Sequence, residues 1–314
     1  MRWFQSFVDA AIVFIDHLAA VRWTPLAIAL ALHFGRMLLR TVAWRNILQA
    51  SYPGTKVRWA PVFGAYVAGV GVNAIIPARV GDAVKVALVK QRIDGSSYAT
   101  VAATLIVETL FDFFVALGLF TWALGLGVLP GLTVLEQLPS VDWSWPLSHP
   151  RISGAVAAAL LVLLVVTALW ARRRAVAFWA RVRQGFAILR TPWRYLRDVV
   201  SWQAASWVLR LASIYFFLRA FGITATAHNA LLTMIVQSLS TLLPITPGGA
   251  GTEQGLLVYV FRGREAATPL LSFSVGMKLA LTAFNVVLGF AVLALMMRTF
   301  SPKRAIERAE SEEG

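Results

Sequence analysis

Residues Leu242–Glu253 read LLPITPGGAGTE and lie between two apolar runs, Leu231–Leu243 and Gln254–Phe261. Two prolines and three glycines in this stretch cannot continue a helix, because proline lacks the N–H and glycine favours other backbone conformations. Interrupted backbone at membrane depth is tolerated only when it is buried in protein or lines a watery cavity, since lipid satisfies no backbone hydrogen bond. The stretch therefore predicts a broken helix with a binding site at its gap.

A second break of the same kind lies earlier in the chain, at Asn73–Asp82, which reads NAIIPARVGD. The separation from Pro77 to Pro244 is 167 residues (244 − 77), and the separation from Gly81 to Gly248 is the same (248 − 81). This correspondence predicts one structural unit used twice.

The composition is that of an integral membrane protein, since 58% of the 314 residues are hydrophobic and only 14% are charged. The absence of cysteine excludes disulfides and thiolate chemistry, and the four histidines lack metal-ligand spacing, so we expect no metal and no cofactor. The net charge of +14 comes from Lys and Arg grouped in a few blocks. Such blocks indicate cytoplasmic loops facing anionic lipid rather than nucleic acid.

Charge asymmetry around the apolar segments predicts the topology. Eight arginines and no acid lie between Arg172 and Arg197, whereas the loop 126–150 has two acids and no Lys or Arg. The first loop is therefore expected inside and the second outside, which places both termini in the cytoplasm. Six segments are long enough to cross a bilayer: 3–20, 24–44, 100–125, 152–170, 198–221 and 270–297.

The broken regions 60–92 and 228–262 fit this topology as re-entrant pairs that enter the membrane from opposite sides. The alternative is that 228–245 and 251–262 are ordinary crossings, but the second is shorter than the ~20 residues that a crossing needs. The expected fold is an all-α polytopic membrane protein, with about six full spans and two re-entrant broken-helix pairs in an inverted repeat.

This fold is expected to form a single membrane domain over residues 1–314. Its repeats are 24–125 and 198–297, each a span, a broken hairpin and a span. Between them, the basic cytoplasmic segment 172–197 has apolar residues at helical spacing, typical either of an interfacial amphipathic helix or of a plain basic loop. Residues 298–314 form a short cytoplasmic tail.

Charged residues inside the apolar segments are candidate functional residues, because intramembrane charges are costly and usually face a partner or a cavity. Glu108 and Asp112 lie one helical turn apart and are expected to pair with Arg36 or Arg40, which have the same spacing. In the other half, Glu253 is expected near Lys278 or Arg210. A purely structural network of ion pairs is the alternative.

The breaks also suit a phosphate group. Glycines let backbone approach a ligand closely, and a half-helix beginning at such a break points free N–H groups into the gap. At the second break this applies to Gly248, Gly249, Gly251 and Thr252, and at the first to Gly81, with Arg79 and Lys85 adding positive charge. A glycine-rich stretch alone is also typical of a plain turn between helices.

Three sequence blocks closely resemble the markers of the lysylphosphatidylglycerol synthase transmembrane family, also called the flippase-like domain family. They are NAIIPARVGDAVKVALVKQR, VETLFDF and LLPITPGGAGTEQGLL. Asp82 stands where that family usually has Glu, and Thr109 replaces a usual Arg. The resemblance implies roles for the matching residues: Asn73, Pro77, Arg79, Gly81, Asp82, Glu108, Asp112, Pro244, Pro247, Gly248, Gly249, Gly251 and Glu253.

The resemblance also implies function. Family members that carry a synthase domain move aminoacylated phosphatidylglycerol between leaflets, and stand-alone members handle other lipids, including polyprenyl-phosphate lipids. The short stretch after Arg298 leaves no room for a synthase domain, so we expect a stand-alone member without enzymatic activity.

The leading hypothesis is a flippase or transporter for a phosphate-containing lipid headgroup, whose partners are membrane lipids. The alternative is a non-transporting lipid-binding partner of a glycosyltransferase or lipid synthase. A membrane transferase that uses the carboxylates is a third and weaker hypothesis, because no loop offers a place for a polar co-substrate.

Overall fold

The computed structural model describes residues 20–76, 79–125, 161, 176, 178–242 and 251–298, and these residues are organised as helices and their connections. The all-helical prediction is confirmed for this part of the chain. The main helices are α1 (Trp23–Ser51), α2 (Trp59–Ile75), α3 (Val80–Lys90), α4 (Tyr98–Gly125), α5 (Ser201–Ala220), α6 (Ala227–Leu242), α7 (Thr252–Val260) and α8 (Ala267–Arg298).

Three of these helices are long and apolar enough to cross a membrane: α1, α4 and α8. They correspond to the predicted spans 24–44, 100–125 and 270–297. The predicted span 198–221 is a helix, α5, but it contains Gln203, Arg210 and Arg219 and is not among the helices identified as spans by length and composition. The predicted spans 3–20 and 152–170 fall outside the described residues, apart from Leu161.

Helices α1 and α5 pack side by side along their lengths and run in opposite directions. The backbone N–H of Arg22 donates to the carbonyl of Ala220 at one end (2.9 Å), and the Asn46 amide donates to the carbonyl of Asp198 near the other (2.8 Å). Between these contacts Ser213 Oγ donates to the carbonyl of Ala29. This pair defines two ends of the bundle, which we name the Arg22 end and the Ser51 end.

The first broken hairpin, α2–α3, has both of its ends at the Ser51 end. There Arg45 donates to the carbonyl of Val57, just before α2 begins, and Arg92, just after α3, reaches the carbonyl of Met296 near the end of α8. Before the break, Gly71 of α2 packs against the backbone of Asn285 and Gly289 of α8, whereas Ile75, Ile76 and Arg79 beside the break are exposed. Residues 77–78 at the tip lie outside the described residues.

The second broken hairpin, α6–α7, has both of its ends at the Arg22 end. The Glu265 carboxylate, beyond α7, accepts a hydrogen bond from the backbone N–H of Thr224, before α6 (3.0 Å). The nine residues of α7 rise only about 14 Å, less than half of a ~30 Å hydrocarbon core. α7 is therefore too short to cross the membrane on its own.

Apolar cores fill the two halves of the bundle. One core joins α1, α5, α6, α7 and α8 around Phe217, Phe261 and Phe273. The other joins α1, α2, α3 and α4 around Trp44 and Tyr66.

The basic segment before α5 is partly helical, which favours the amphipathic-helix alternative. Residues 178–185 are helical, and short turns at Ala187–Arg190, Pro192–Tyr195 and Leu196–Val200 lead into α5. Ile188 is buried against Ala43 and Ile47 of α1, whereas Phe178 is half exposed. The end of this segment is thus anchored to the bundle at the Ser51 end.

Candidate functional site

The two carboxylates predicted on one face of α4 converge on a single arginine of α1. Arg40 Nε donates to Glu108 Oε1 (2.8 Å), and its Nη2 contacts Glu108 and, at 2.7 Å, Asp112 Oδ2. The Arg40 and Glu108 side chains are 7% and 4% exposed, so water contributes little to their solvation. The predicted pairing is confirmed for Arg40, and such a buried pair is held together because each charge would otherwise be stranded.

Two residues of α5 complete this cluster. Trp207 Nε1 donates to Asp112 Oδ1 (2.7 Å), and the Gln203 amide donates to the backbone carbonyl of Glu108 (2.6 Å). The Asp112 carboxylate is thereby bound from both α1 and α5, while Gln203 links α5 to the backbone of α4 at Glu108. Sequence analysis missed both residues, although a glutamine within an apolar helix one turn from a tryptophan was an available signal.

Arg36, one turn from Arg40, does not join the carboxylate cluster. It lines a cavity of about 260 Å³ between α1, α5, α6 and α8, together with Arg210, His33 and Gln237. No salt bridge links Arg36 or Arg210 to a carboxylate in the described part of the chain, and Arg36 Nε is buried without a hydrogen-bond partner. Two guanidinium groups therefore share one cavity.

Contacts with neutral groups hold the other members of this cavity. Arg210 Nη2 donates to Gln237 Oε1 (3.3 Å), and its guanidinium lies 5.0 Å from the Trp207 ring centre, a cation–π contact. His33 Nε2 lies 2.9 Å from Asn285 Oδ1 on α8. These contacts fix the walls of the cavity without neutralising its charge. His33 and Gln237 were not predicted, though each is a polar residue within an apolar run.

At the first break, the structure brings together Asn73, Gly81, Asp82 and Lys85. Asn73 Oδ1 accepts a hydrogen bond from the Gly81 N–H (2.6 Å), and Asp82 Oδ1 accepts from Lys85 Nζ (2.9 Å). The Asp82 N–H donates to the carbonyl of Arg79. The expectation that this half-helix points free N–H groups into the gap is therefore wrong for Gly81 and Asp82, since both donors have partners within the hairpin.

Gly81 has a packing role that its sequence context does not reveal. A Cβ atom at this position would lie 1.9 Å from the carbonyl oxygen of Gly69 on α2. The close approach at Gly81 is thus between the two arms of the hairpin.

Arg79, directly before α3, is exposed and adopts a left-handed conformation (φ 59°). Its side chain is exposed at the break.

At the second break, Glu253 is buried and binds Lys278 of α8. Glu253 Oε2 accepts from Lys278 Nζ (2.8 Å), while its Oε1 is buried without a hydrogen-bond partner. Of the two predicted partners, Lys278 is therefore the correct one. Gly251 (φ 86°) directly precedes α7, which begins at Thr252, and its N–H donates to the Gln254 side chain (2.8 Å).

Several predicted site residues cannot be placed in this geometry. Pro77, Pro247, Gly248 and Gly249 lie outside the described residues, as does Pro244. The phosphate site predicted on Gly248 and Gly249 therefore stays a prediction.

The comparison with protein families matches residues 11–302 to the family described as the lysylphosphatidylglycerol synthase TM region. The chain belongs to this family. The match confirms the resemblance carried by the three sequence blocks, and it covers most of the 314 residues. Membership in the lysylphosphatidylglycerol synthase transmembrane family indicates a membrane protein with a role connected to lipids. No curated protein and no solved structure shows significant similarity to the chain.

Proposed function

We propose that the protein is a lipid flippase or transporter that moves a phosphate-containing headgroup between the leaflets of a bacterial inner membrane, without enzymatic activity of its own. The observation that carries the proposal is the arrangement of the two broken hairpins. Both enter the bundle, but α2–α3 does so from the Ser51 end and α6–α7 from the Arg22 end. Each has an ion pair near its break: Asp82 with Lys85 within α3, and Glu253 of α7 with Lys278 of α8.

The proposed architecture is an inverted repeat in which α1–α4 corresponds to α5–α8. What supports it is the order of the elements, since each set contains a long helix, a broken hairpin and a second long helix. The packing agrees, because α1 and α5 pair with each other, α2 packs on α8, and α6 packs on α4. Transporters built this way place their substrate site where the broken helices meet.

Buried polar side chains in the middle of the bundle would allow the headgroup to pass. A phosphate headgroup is too polar for lipid, but buried arginines and hydrogen-bonding side chains offer partners that hydrocarbon lacks. The acyl chains remain in lipid while the headgroup moves between the two breaks. A role as a non-transporting lipid-binding partner would leave the same site in place but without passage between leaflets.

Transport is tested with the purified protein in proteoliposomes that contain a trace of fluorescent phosphatidylglycerol. The expected result is that dithionite bleaches the label in both leaflets, whereas protein-free liposomes lose only the outer half. If wild-type protein leaves the inner half protected, the transport proposal is wrong and the lipid-binding partner role gains support.

Arg79→Gly is the matching variant. Glycine adopts φ 59° readily, so this change removes the guanidinium and also relieves a backbone strain of about 1–2 kcal/mol. We expect unchanged or higher thermal stability together with slower headgroup movement, since a charge at the break is lost. Equal flipping rates for Arg79→Gly and the wild-type protein would exclude Arg79 from the headgroup pathway.

A further inference from the structure

We infer that the cavity lined by His33, Arg36, Arg210 and Gln237 binds the phosphate of a lipid that carries a single net negative charge, namely a phosphodiester whose headgroup has no ammonium group. This inference rests on the proposed function, because it names the substrate class of the proposed site. It locates the phosphate between α1, α5, α6 and α8, and not at the glycine-rich break.

The charges in the middle of the bundle support a monoanion. Among the described residues of the cavity and the carboxylate cluster, Arg36, Arg40 and Arg210 supply three positive charges, and Glu108 and Asp112 supply two negative ones, which leaves one positive charge in excess. The nearby Glu253–Lys278 pair is neutral overall. Arginine does not lose its proton in proteins, so the excess cannot be removed by titration of a guanidinium. A bound monoanion would neutralise it, whereas a zwitterionic headgroup would not and a dianion would reverse it.

The excess lies at the cavity and not at the carboxylate cluster. Arg40 is bound by both carboxylates, while Arg36 and Arg210 have no salt bridge among the described residues. An isolated buried cation is costly, and buried charges in proteins are usually paired. Two guanidinium groups that share a cavity with the Gln237 amide offer planar, multiple donors of the kind that bind phosphate oxygens.

The cavity is large enough for the headgroup but not for the rest of the lipid. Its volume of about 260 Å³ is below the roughly 300–1,000 Å³ of sites that enclose drug-sized ligands. Apart from Ser213, the remaining lining is apolar and includes Phe217, Met277 and Leu281. The cavity therefore accepts a compact phosphodiester, while the acyl chains stay outside.

Native mass spectrometry of the detergent-solubilised protein with dioleoylphosphatidylglycerol and dioleoylphosphatidylcholine tests the inference. We expect the monoanionic lipid to be retained preferentially, and Arg36→Gln and Arg210→Gln each to weaken its binding by about tenfold or more. Arg36→Lys keeps the charge and should retain part of the binding. Arg219→Gln, at an exposed position of the same helix as Arg210, is the matched control and should bind as the wild-type protein does.

Two results would overturn the inference: equal retention of the two lipids, or unchanged binding in both Arg36→Gln and Arg210→Gln. Size-exclusion and thermal unfolding establish that the variants are folded. A further arm adds water-soluble glycerophosphoglycerol as a competitor. If it displaces the lipid at comparable concentration, the cavity binds a soluble diester and the lipid assignment is wrong.

Flipping in proteoliposomes separates this inference from the proposed function. Selective binding that depends on Arg36 and Arg210 without any flipping would support the cavity and contradict transport. Flipping that continues unchanged in both variants, with unchanged binding, would support transport and contradict the cavity.

Discussion

Arg36 and Arg40 have the same residue type, helix and face, yet their environments differ. Four residues along a helix shift a side chain by about 40° and about 6 Å. This offset places Arg40 at the level of Glu108 and Asp112, and Arg36 at the level of the cavity. From the sequence alone, either arginine could pair with Glu108 and Asp112, because tertiary packing sets the register of α1 against α4.

The stability of variants should reflect this difference. Arg40→Gln should lower the free energy of unfolding by about 3–5 kcal/mol, because it strands two carboxylates, and Glu108→Gln should also destabilise. In a double-mutant cycle the two changes together should cost less than their sum. Arg36→Gln, which breaks no salt bridge in the described structure, should unfold within about 1 kcal/mol of the wild-type protein or be more stable. Additive costs for Arg40 and Glu108 would contradict the pairing.

At the scale of elements, the sequence predicted where the helices break but not how the broken arms pack. Proline and glycine act locally, so the end of α2 before Pro77 and the start of α7 after Gly251 follow from the residues themselves. The use of Gly81 depends on Gly69, twelve residues earlier on the opposite arm, and on the register between the arms. The sequence pattern is compatible with such a contact but does not predict it. The sequence therefore predicts a ligand contact at Gly81, whereas the structure shows a packing contact.

Gly81→Ala tests this packing. An added methyl group meets the carbonyl of Gly69 at a distance that requires the backbone to move, so the variant should unfold about 1–3 kcal/mol more easily. Gly255→Ala on α7 is the matched control, because a Cβ atom there contacts nothing within 4 Å. It should stabilise the protein by up to about 1 kcal/mol through helix propensity. Thermal unfolding in one detergent measures both, and equal stability of the two variants would show that the hairpin arms are not in close contact.

At the scale of the whole molecule, the described basic residues concentrate at the Ser51 end. That end holds Arg45, Lys56, Arg58, Lys90, Arg92, Arg181, Arg183, Arg190, Arg194 and Arg197, with Asp94 and Asp198 as described acids. The Arg22 end holds Arg22, Arg219, Arg262 and Arg264, with Glu265. Lys and Arg near span ends are enriched on the cytoplasmic side, so the Ser51 end is expected in the cytoplasm.

Single cysteines test this orientation cleanly, because the chain contains no cysteine of its own. Lys56 and Ala266 are exposed at opposite ends, before α2 and before α8. In intact cells, a membrane-impermeant maleimide should label Ala266→Cys and leave Lys56→Cys unlabelled, since only the Arg22 end would face outward. After permeabilisation both should react, which controls for local accessibility. Labelling of Lys56→Cys alone would reverse the orientation. Labelling of both in intact cells would place both loops outside and contradict hairpins that enter from opposite sides.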